Sequence, residues 1–190
     1  MCIRDRLYAG SGAHFDVDNL VGQRDDFYHV IQTVRKTVNK YQWIFIGAFP
    51  MGLKDLVSSG KIEYHPWVPL YDYPALVKKV RANIMVAPLC DNNFNRSKSD
   101  LKYVEGCALG LPTICQDTCT YSDAAFKFNT GDEMVDQIDS LMKDKNTYMK
   151  AVRKGRMVAE TRWLENPENI GKYVELYTTK YGSTDRKLLS

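Results

Sequence analysis

The sequence predicts an α/β fold in which a doubly wound parallel sheet is followed by a helical C-terminal tail. Short apolar runs alternate with helical patterns, and most of these runs are nearly continuously apolar. Strands of this kind are buried on both faces, as in parallel sheets whose strands are connected by helices. From about residue 131 onward the strand-like runs stop and only helical patterns follow.

Each element follows from its local pattern. The strand candidates are short apolar runs at residues 6–10, 43–49, 61–65, 83–89 and 112–116. Apolar residues recur at helical spacing in residues 25–41 and 73–80, which predicts two crossover helices. In the tail, Thr130 or Asp132 marks the start of one helix, and Pro167 stands in the first turn of another.

The composition excludes several classes of protein. Hydrophobic residues make up 44% and charged residues 26%, as in ordinary globular chains. The net charge of +3 is small and the basic residues are interleaved with acids, which argues against a nucleic-acid surface. The five cysteines lack paired spacing, which indicates reduced, buried thiols and favours the cytoplasm. No apolar run approaches the roughly 20 residues that span a bilayer, so no transmembrane segment is expected.

The chain of 190 residues is long enough for one well-buried domain. Its first six residues, MCIRDR, resemble a string that recurs at the ends of metagenomic translations. We therefore expect residues 1–6 to be a non-native start and a single domain to occupy residues 7–182, with its helical tail beginning near residue 131.

The loop after the first strand candidate is the first place to expect a ligand, because open parallel sheets bind ligands outside the carboxyl ends of their strands. In AGSGAHFDVDN, Gly10 and Gly12 permit close approach of a ligand, and Ser11 can donate to a phosphate. His14 can donate to a phosphate when it is cationic. The loop is not a full Walker or GxGxxG motif, so a plain tight turn is the alternative.

Residues 97–110 predict a second part of the same site. On a helix, Lys98, Lys102 and Glu105 stand at i, i+4 and i+7 and form one polar stripe. The neighbouring apolar face is expected to pack on the sheet: Leu101, Val104 and Ala108. A helix start favours an anion such as a diphosphate, and Glu105 suits a ribose diol. A solvated Lys/Glu face, capped by Ser97 or Asn95, is the alternative.

The run FNRSKSDLKYVEGCALGLPTI, preceded by YDYPALVKKVRANIMVAPL, resembles the donor-binding half of GT-B glycosyltransferases, notably the group-one, family-four-like enzymes. Their pattern is a strand ending in Ala-Pro, a loop, a helix carrying glutamate, and Ala-x-Gly-x-Pro before the next strand. Glu105, Ala108, Gly110 and Pro112 fit this pattern, and the similarity extends from about Leu7 to Trp163.

The resemblance implies a Rossmann-like nucleotide-sugar-binding domain of a hexosyltransferase-type glycosyltransferase, active in polysaccharide biosynthesis. The enzyme would transfer a sugar from a nucleotide-diphosphate sugar to an unknown acceptor, with no tightly bound cofactor or metal. Such enzymes bind the acceptor on an N-terminal domain, so we expect this chain to be truncated. The alternative is a non-catalytic nucleotide-binding or assembly module on the same scaffold. A generic dehydrogenase is a weaker reading, because the first loop lacks the three-glycine spacing.

The resemblance also assigns roles to residues. Glu105 would bind the ribose, and Lys98 would bind the diphosphate and stabilise it as a leaving group. The loop from Gly10 to His14 would lie beside the phosphates, and the segment from residue 64 to 67, with His65, would flank the base. Donor contacts are also expected from three residues of the Lys-Ser region and its helix: Ser97, Ser99 and Lys102. Ser97 stands where many of these enzymes have a glutamate near the donor sugar, so the identity of that sugar stays open.

Some signals are weaker. The Asp-x-Asp sequence at residues 16–18 can hold a divalent ion on a diphosphate, but a solvated acidic loop is the favoured interpretation. Trp67, Tyr71 and Tyr73 offer a stacking surface for a base, and ordinary packing under a loop is the alternative. For His65, a packed position at the end of a strand is favoured over a contact with the base.

Overall fold

The computed structural model describes residues 5–10, 26–28, 30–162 and 166–181. Six strands form one sheet in which all paired neighbours are parallel. They are β1 (Asp5–Gly10), β2 (Gln42–Gly47), β3 (Ile62–Pro66), β4 (Ile84–Ala87), β5 (Thr113–Gln116) and β6 (Phe126–Phe128). The strand order in the sheet is β3-β2-β1-β4-β5-β6. Later strands are added outward from β1 on one side and from β4 on the other, so the strand order reverses between β1 and β4. The predicted doubly wound α/β fold is confirmed.

The helices lie between and after the strands. They are α1 (Ile31–Thr37), α2 (Lys54–Ser58), α3 (Tyr73–Val80), α4 (Asn93–Arg96), α5 (Leu101–Ala108), α6 (Gly131–Lys143), α7 (Lys145–Arg162) and α8 (Pro167–Tyr181). The hydroxyl of Thr130 accepts the N–H of Glu133 at 3.2 Å and caps α6, as its position in the sequence predicted. Pro167 opens α8, where its missing N–H costs no helical hydrogen bond.

Helices cover both faces of the sheet. Successive strand residues point to opposite faces, so Tyr8 and Phe45 face α1 and α6 in one core cluster. Leu7 and Ile44 face the other way and pack with Val77 of α3. Further along this second face, α5 and α7 bury a third cluster against β4 and β5 that includes Tyr103, Cys107, Cys115 and Ala159. The loops at the carboxyl edge therefore rest on a sheet that is packed from both sides.

Strand β6 was not predicted from the sequence. The last strand candidate in the sequence ends at residue 116, yet Phe126 pairs with Ile114 of β5, and Phe128 is buried with 1% of its surface exposed. The strand has three residues, too few to show a period of its own. Its position is set by pairing with β5 and by packing against α6.

Helix α5 differs from its prediction in two respects. It begins at Leu101, because the N–H of Lys98 bonds to the carbonyl of Asn95 at 3.1 Å and so belongs to the turn that closes α4. The predicted apolar face was wrong, because Leu101 is 67% exposed and Ala108 is exposed. The buried residues of the helix are Tyr103, Gly106 and Cys107.

The rotation of α5 has a steric cause at Gly106. A Cβ atom there would lie 2.0 Å from the hydroxyl oxygen of Thr113 and 3.0 Å from the sulfur of Met85. The helix backbone therefore approaches the sheet more closely than a larger residue would allow. This close approach turns the face with Tyr103, Gly106 and Cys107 toward the sheet and leaves Lys102 and Glu105 near the carboxyl edge.

Three of the four described cysteines are buried, as predicted: Cys90, Cys107 and Cys115. Cys119 is exposed, which corrects the expectation of buried thiols, because it lies in the loop between β5 and β6. Within the described residues, no helix combines the length and the hydropathy needed to cross a membrane.

Candidate functional site

The carboxyl ends of β1 and β2 open into a cavity of about 370 Å³. We call it the β1–β3 cavity; it is lined by Ala9, Gly10, Ile46, Gly47, Trp67, Val68, Leu70, Tyr73, Leu101 and Glu105. Most of this lining is apolar. The exceptions among its side chains are Glu105 and the hydroxyl of Tyr73, so the cavity combines an apolar wall with a small polar end. This combination is typical of sites for small organic ligands.

Two glycines keep the floor of the cavity open. Gly47 has a φ of +92°, and a Cβ atom there would lie 2.4 Å from the carbonyl oxygen of Gly10. A Cβ atom on Gly10 would lie 2.4 Å from the hydroxyl of Tyr8. Neither position accommodates a side chain without movement, so a ligand here meets bare backbone at the ends of both strands.

Glu105 and Tyr73 form the polar end of the cavity. Burial raises the pKa of Glu105, whereas the nearby Tyr73 hydroxyl and Lys102 ammonium partly oppose this rise. Burial also raises the pKa of Tyr73, and the charge of Glu105 adds to that effect. The Tyr73 hydroxyl has no partner in hydrogen-bonding geometry within the described part of the chain. The partly buried Glu105 carboxylate and the buried Tyr73 hydroxyl therefore stand close enough to interact, although the hydroxyl forms no hydrogen bond of good geometry.

Lys102 reaches from α5 to β1. Its Nζ donates to the hydroxyl of Tyr8 at 2.9 Å and lies 4.3 Å from the centre of the Tyr8 ring. Burial lowers the pKa of Lys102 to about 7, and the charge of Lys98 contributes to the decrease. The negative charges of Asp26 and Glu105 act in the opposite direction.

A buried polar network fixes the loop after β4. Asp26 accepts the N–H of Cys90 and the side-chain amide of Asn95, both at 2.9 Å. The Asn95 amide also donates to the carbonyl of Cys90 at 2.8 Å, and the hydroxyl of Thr120 donates to the Asn95 carbonyl at 2.7 Å. The network holds the turn that precedes Lys98 and α5. Sequence reasoning treated Asn95 only as a possible cap and assigned Asp26 no role.

The predicted site residues fall into three groups. Gly10 and Glu105 line the β1–β3 cavity, and Lys102 is tied to the same strand end through Tyr8. Lys98 precedes α5, with its Nζ 4.8 Å from the centre of the Phe94 ring. The remaining predicted residues lie outside the cavity lining or outside the described residues.

Ser97 and Ser99 are exposed in the segment between α4 and α5, and the Ser97 hydroxyl donates to the carbonyl of Asn93 at 3.2 Å. His65 lies on the edge strand β3, with its Nε2 2.6 Å from a carboxylate oxygen of Glu63, and does not line the cavity. Four predicted features lie outside the described residues: Ser11, Gly12, His14 and the Asp-x-Asp sequence at 16–18.

The predicted aromatic residues also separate. Trp67 lines the cavity and is 70% exposed, so one face of its indole is open to a ligand. Tyr73 lines the cavity as well, but it contributes a hydroxyl beside Glu105. Tyr71 is 94% exposed and is not part of the lining.

A second depression of about 540 Å³ lies at the other end of the carboxyl edge. We call it the β5–β6 groove; it is lined by Asp91, Arg96, Asp117, Thr118, Cys119, Ser122 and Lys127. Arg96 bonds to both carboxylate oxygens of Asp91, at 2.7 and 2.8 Å, and Lys127 lies 3.3 Å from Asp117. Across the described ranges, no three His, Cys, Asp or Glu residues are arranged to hold a metal ion.

No protein-family model matches the chain. No curated protein matches it at a significant level.

Proposed function

We propose that the chain is the donor-binding domain of a GT-B glycosyltransferase and binds a nucleotide-diphosphate sugar at the carboxyl edge of its sheet. One observation carries the proposal: Glu105 and Gly10 line the same cavity. The resemblance to these enzymes, which extends from about Leu7 to Trp163, assigns the first to the ribose and the second to the phosphates. The strand order reverses next to this cavity, between β1 and β4, where open α/β sheets bind nucleotides.

In this proposal each part of the cavity recognises one part of the donor. The base lies against the apolar wall, with Trp67 as its stacking partner. The Glu105 carboxylate accepts hydrogen bonds from the two ribose hydroxyls, and the Tyr73 hydroxyl beside it gains a partner. Lys98 and Lys102 face the diphosphate from the side of α5.

The same residues suit departure of the diphosphate. As the bond between the sugar and the diphosphate breaks, negative charge develops on the leaving oxygen, and fixed cations stabilise it. Lys98 is the proposed catalytic residue for this role, with Lys102 beside it. Glu105 orients the nucleotide and takes no part in bond making. The acceptor binds to a separate domain, as the resemblance implies.

The test is calorimetric titration with UDP, GDP and ADP. We expect one of the three diphosphates to bind, and we expect Glu105→Ala and Lys98→Ala each to weaken binding by about tenfold to a hundredfold, since each removes a charge-assisted contact. Glu160→Ala and Lys78→Ala are matched controls, because both residues are exposed and lie outside the cavity. Absence of binding by the folded protein would contradict the proposal, as would equal losses in Glu105→Ala and Glu160→Ala.

A non-catalytic nucleotide-binding module is the second candidate, and Ser97 favours it. Ser97 provides no carboxylate near the donor sugar, and its hydroxyl bonds to the backbone of its own turn. The two candidates differ in turnover. If the wild type slowly releases free nucleoside diphosphate from the matching nucleotide-sugar and Lys98→Ala does not, the result supports the transferase. Binding of the nucleotide-sugar with no release supports the module.

A further inference from the structure

The short helix α4 leads into the turn of Lys98, and apolar packing does not hold this helix in place. It has four residues, and isolated helices of that length are not stable in water. Its aromatic side chain, Phe94, is 72% exposed. Its buried residue is Asn95, which has 4% of its surface exposed. The position of α4 therefore depends on the polar contacts of Asn95.

Hydrogen bonds to two other segments fix the side chain of Asn95. Its amide nitrogen donates to the carboxylate of Asp26 at 2.9 Å and to the carbonyl of Cys90 at 2.8 Å. The same Asp26 oxygen accepts the N–H of Cys90 at 2.9 Å. Asp26 and Cys90 are themselves buried, in the segment before α1 and in the loop after β4. Because a side-chain amide has two N–H donors and both are used, the orientation of the Asn95 side chain is set.

The backbone carbonyl of Asn95 connects this network to Lys98. It accepts the N–H of Lys98 at 3.1 Å and the hydroxyl of Thr120 at 2.7 Å. A carbonyl oxygen has two lone pairs, so one atom joins the turn of Lys98 to the loop between β5 and β6. The ammonium of Lys98 lies 4.8 Å from the centre of the Phe94 ring, so the side chain also rests on α4. Both the backbone and the side chain of Lys98 therefore follow the placement of α4.

We infer that Asn95 and Thr120 are positioning residues that hold Lys98 for the diphosphate of the nucleotide. The inference rests on the proposed function. Neither Asn95 nor Thr120 lines the β1–β3 cavity, so both act through Lys98. A cation that is held in place before the ligand arrives loses less conformational freedom on binding than a cation on a loose turn. Loss of these contacts should therefore weaken recognition of the diphosphate and leave recognition of the base and the ribose unchanged.

Thr120→Val tests the inference, because it removes the hydroxyl that bonds to Asn95 and keeps the shape of the side chain. The ligands are the diphosphate among UDP, GDP and ADP that binds and its matching nucleoside, uridine, guanosine or adenosine. Titrations followed by NMR give the affinity for each. We expect the ratio of diphosphate affinity to nucleoside affinity to fall by about fivefold, and the nucleoside affinity to change by less than about twofold. Thr120→Ser retains the hydroxyl and should keep the wild-type ratio.

Thr161→Val is the matched control. The hydroxyl of Thr161 donates to the carbonyl of Val158 at 2.8 Å within α7, so this variant loses the same kind of hydrogen bond. Thr161 is exposed and lies outside the cavity. The ratio of the two affinities in Thr161→Val should therefore equal that of the wild type.

The outcomes separate the inference from the function on which it rests. An unchanged ratio in Thr120→Val overturns the inference and leaves the proposed function standing. Equal losses for the diphosphate and the nucleoside do the same, because the network would then support the whole site and not Lys98 in particular. No binding of any diphosphate overturns both.

Hydrogen exchange of the Lys98 amide in the free wild-type protein provides a second test, which holds even if Thr120→Val does not fold. We expect this amide to exchange at least about tenfold more slowly than in an unstructured peptide, because its turn is held before any ligand binds. Exchange at the rate of an unstructured peptide would overturn the inference.

Discussion

The β1–β3 cavity and the β5–β6 groove lie along the same edge of one sheet but differ in whether their charged side chains form ion pairs. In the groove, Arg96 forms a bidentate pair with Asp91, and Lys127 pairs with Asp117. In the cavity, the Glu105 carboxylate is partly buried beside the buried hydroxyl of Tyr73, and Lys102 bonds to the phenol of Tyr8. Among the described residues, the charged groups of the groove form ion pairs, whereas Glu105 and Lys102 form none within 4 Å.

The difference indicates what each depression is suited to do. Exposed ion pairs contribute about 0–1 kcal/mol to stability and leave little charge for a ligand to neutralise. A buried polar group without a partner costs free energy, which a ligand of complementary charge recovers when it binds. The cavity is therefore the better candidate for a ligand whose hydroxyl groups meet Glu105 and whose anionic group meets Lys102, although the groove is larger. Four substitutions test this difference: three change the shape, a charge and the apolar wall at the cavity, and one breaks an ion pair of the groove.

Changing the shape of the cavity should have the largest effect. In Gly47→Ala, the new methyl group would lie 2.4 Å from the Gly10 carbonyl, at a φ of +92°. We expect the free energy of unfolding to fall by about 3 kcal/mol, because backbone strain and overpacking add together. Urea unfolding measures this loss. Gly60→Ala is the control, since Gly60 has a φ of +71° but open space around it, and its loss should be about 1 kcal/mol. Equal losses would contradict the steric account.

Removing the charge of Lys102 should stabilise the free protein at low pH. The folded state holds the proton on Lys102 less tightly than the unfolded state, because its pKa is lowered to about 7. The stability of the wild type therefore rises with pH between about 7 and 10. Lys102→Met should be more stable than the wild type by about 2 kcal/mol at pH 6, and the difference should shrink by pH 9. Urea unfolding at both pH values tests this, and a difference that does not change with pH would refute it.

Shortening the apolar wall should weaken binding without loss of stability. Trp67→Ala removes the exposed indole that lines the cavity, and we expect the affinity for the nucleoside diphosphate to fall by about tenfold. Tyr71→Ala is the control, because this aromatic residue is 94% exposed outside the lining and should have no effect. Calorimetry compares the two variants. A loss of the same size in both would place the base elsewhere.

Breaking an ion pair of the groove should have the smallest effect. In Arg96→Met the bidentate contact with Asp91 is lost, but both side chains are about half exposed. We expect the free energy of unfolding to fall by less than about 1 kcal/mol, and diphosphate affinity to change by less than about twofold. A loss of affinity comparable to that of Trp67→Ala would mean that the groove takes part in binding.

The sequence was sufficient to predict the fold because most of the strand runs are nearly continuously apolar and alternate with helical patterns. It also predicted that Gly10, Lys102 and Glu105 would approach one another, since the carboxyl ends of parallel strands meet at one edge. Phe128 could not be assigned to a strand in this way, because a strand of three residues is defined by the neighbour with which it pairs.

Two features of the site depended on contacts that no local pattern contains. The orientation of α5 is set by the close approach of Gly106 to Thr113, so the helical spacing alone gave the wrong buried face. The network of Asp26 and Asn95 joins residues 69 positions apart in the chain. Sequence periodicity reports which face of an element is apolar, but it does not report backbone distances or polar contacts between distant segments.

We propose above all that a nucleoside diphosphate binds in the β1–β3 cavity and not in the β5–β6 groove, whose charged side chains form ion pairs. The most direct test is to record amide chemical shifts of the ¹⁵N-labelled protein while UDP, GDP or ADP is added. The account predicts the largest shifts at Gly10, Gly47 and Glu105. Largest shifts at Asp117, Ser122 and Lys127, or no shifts with any of the three diphosphates, would contradict it.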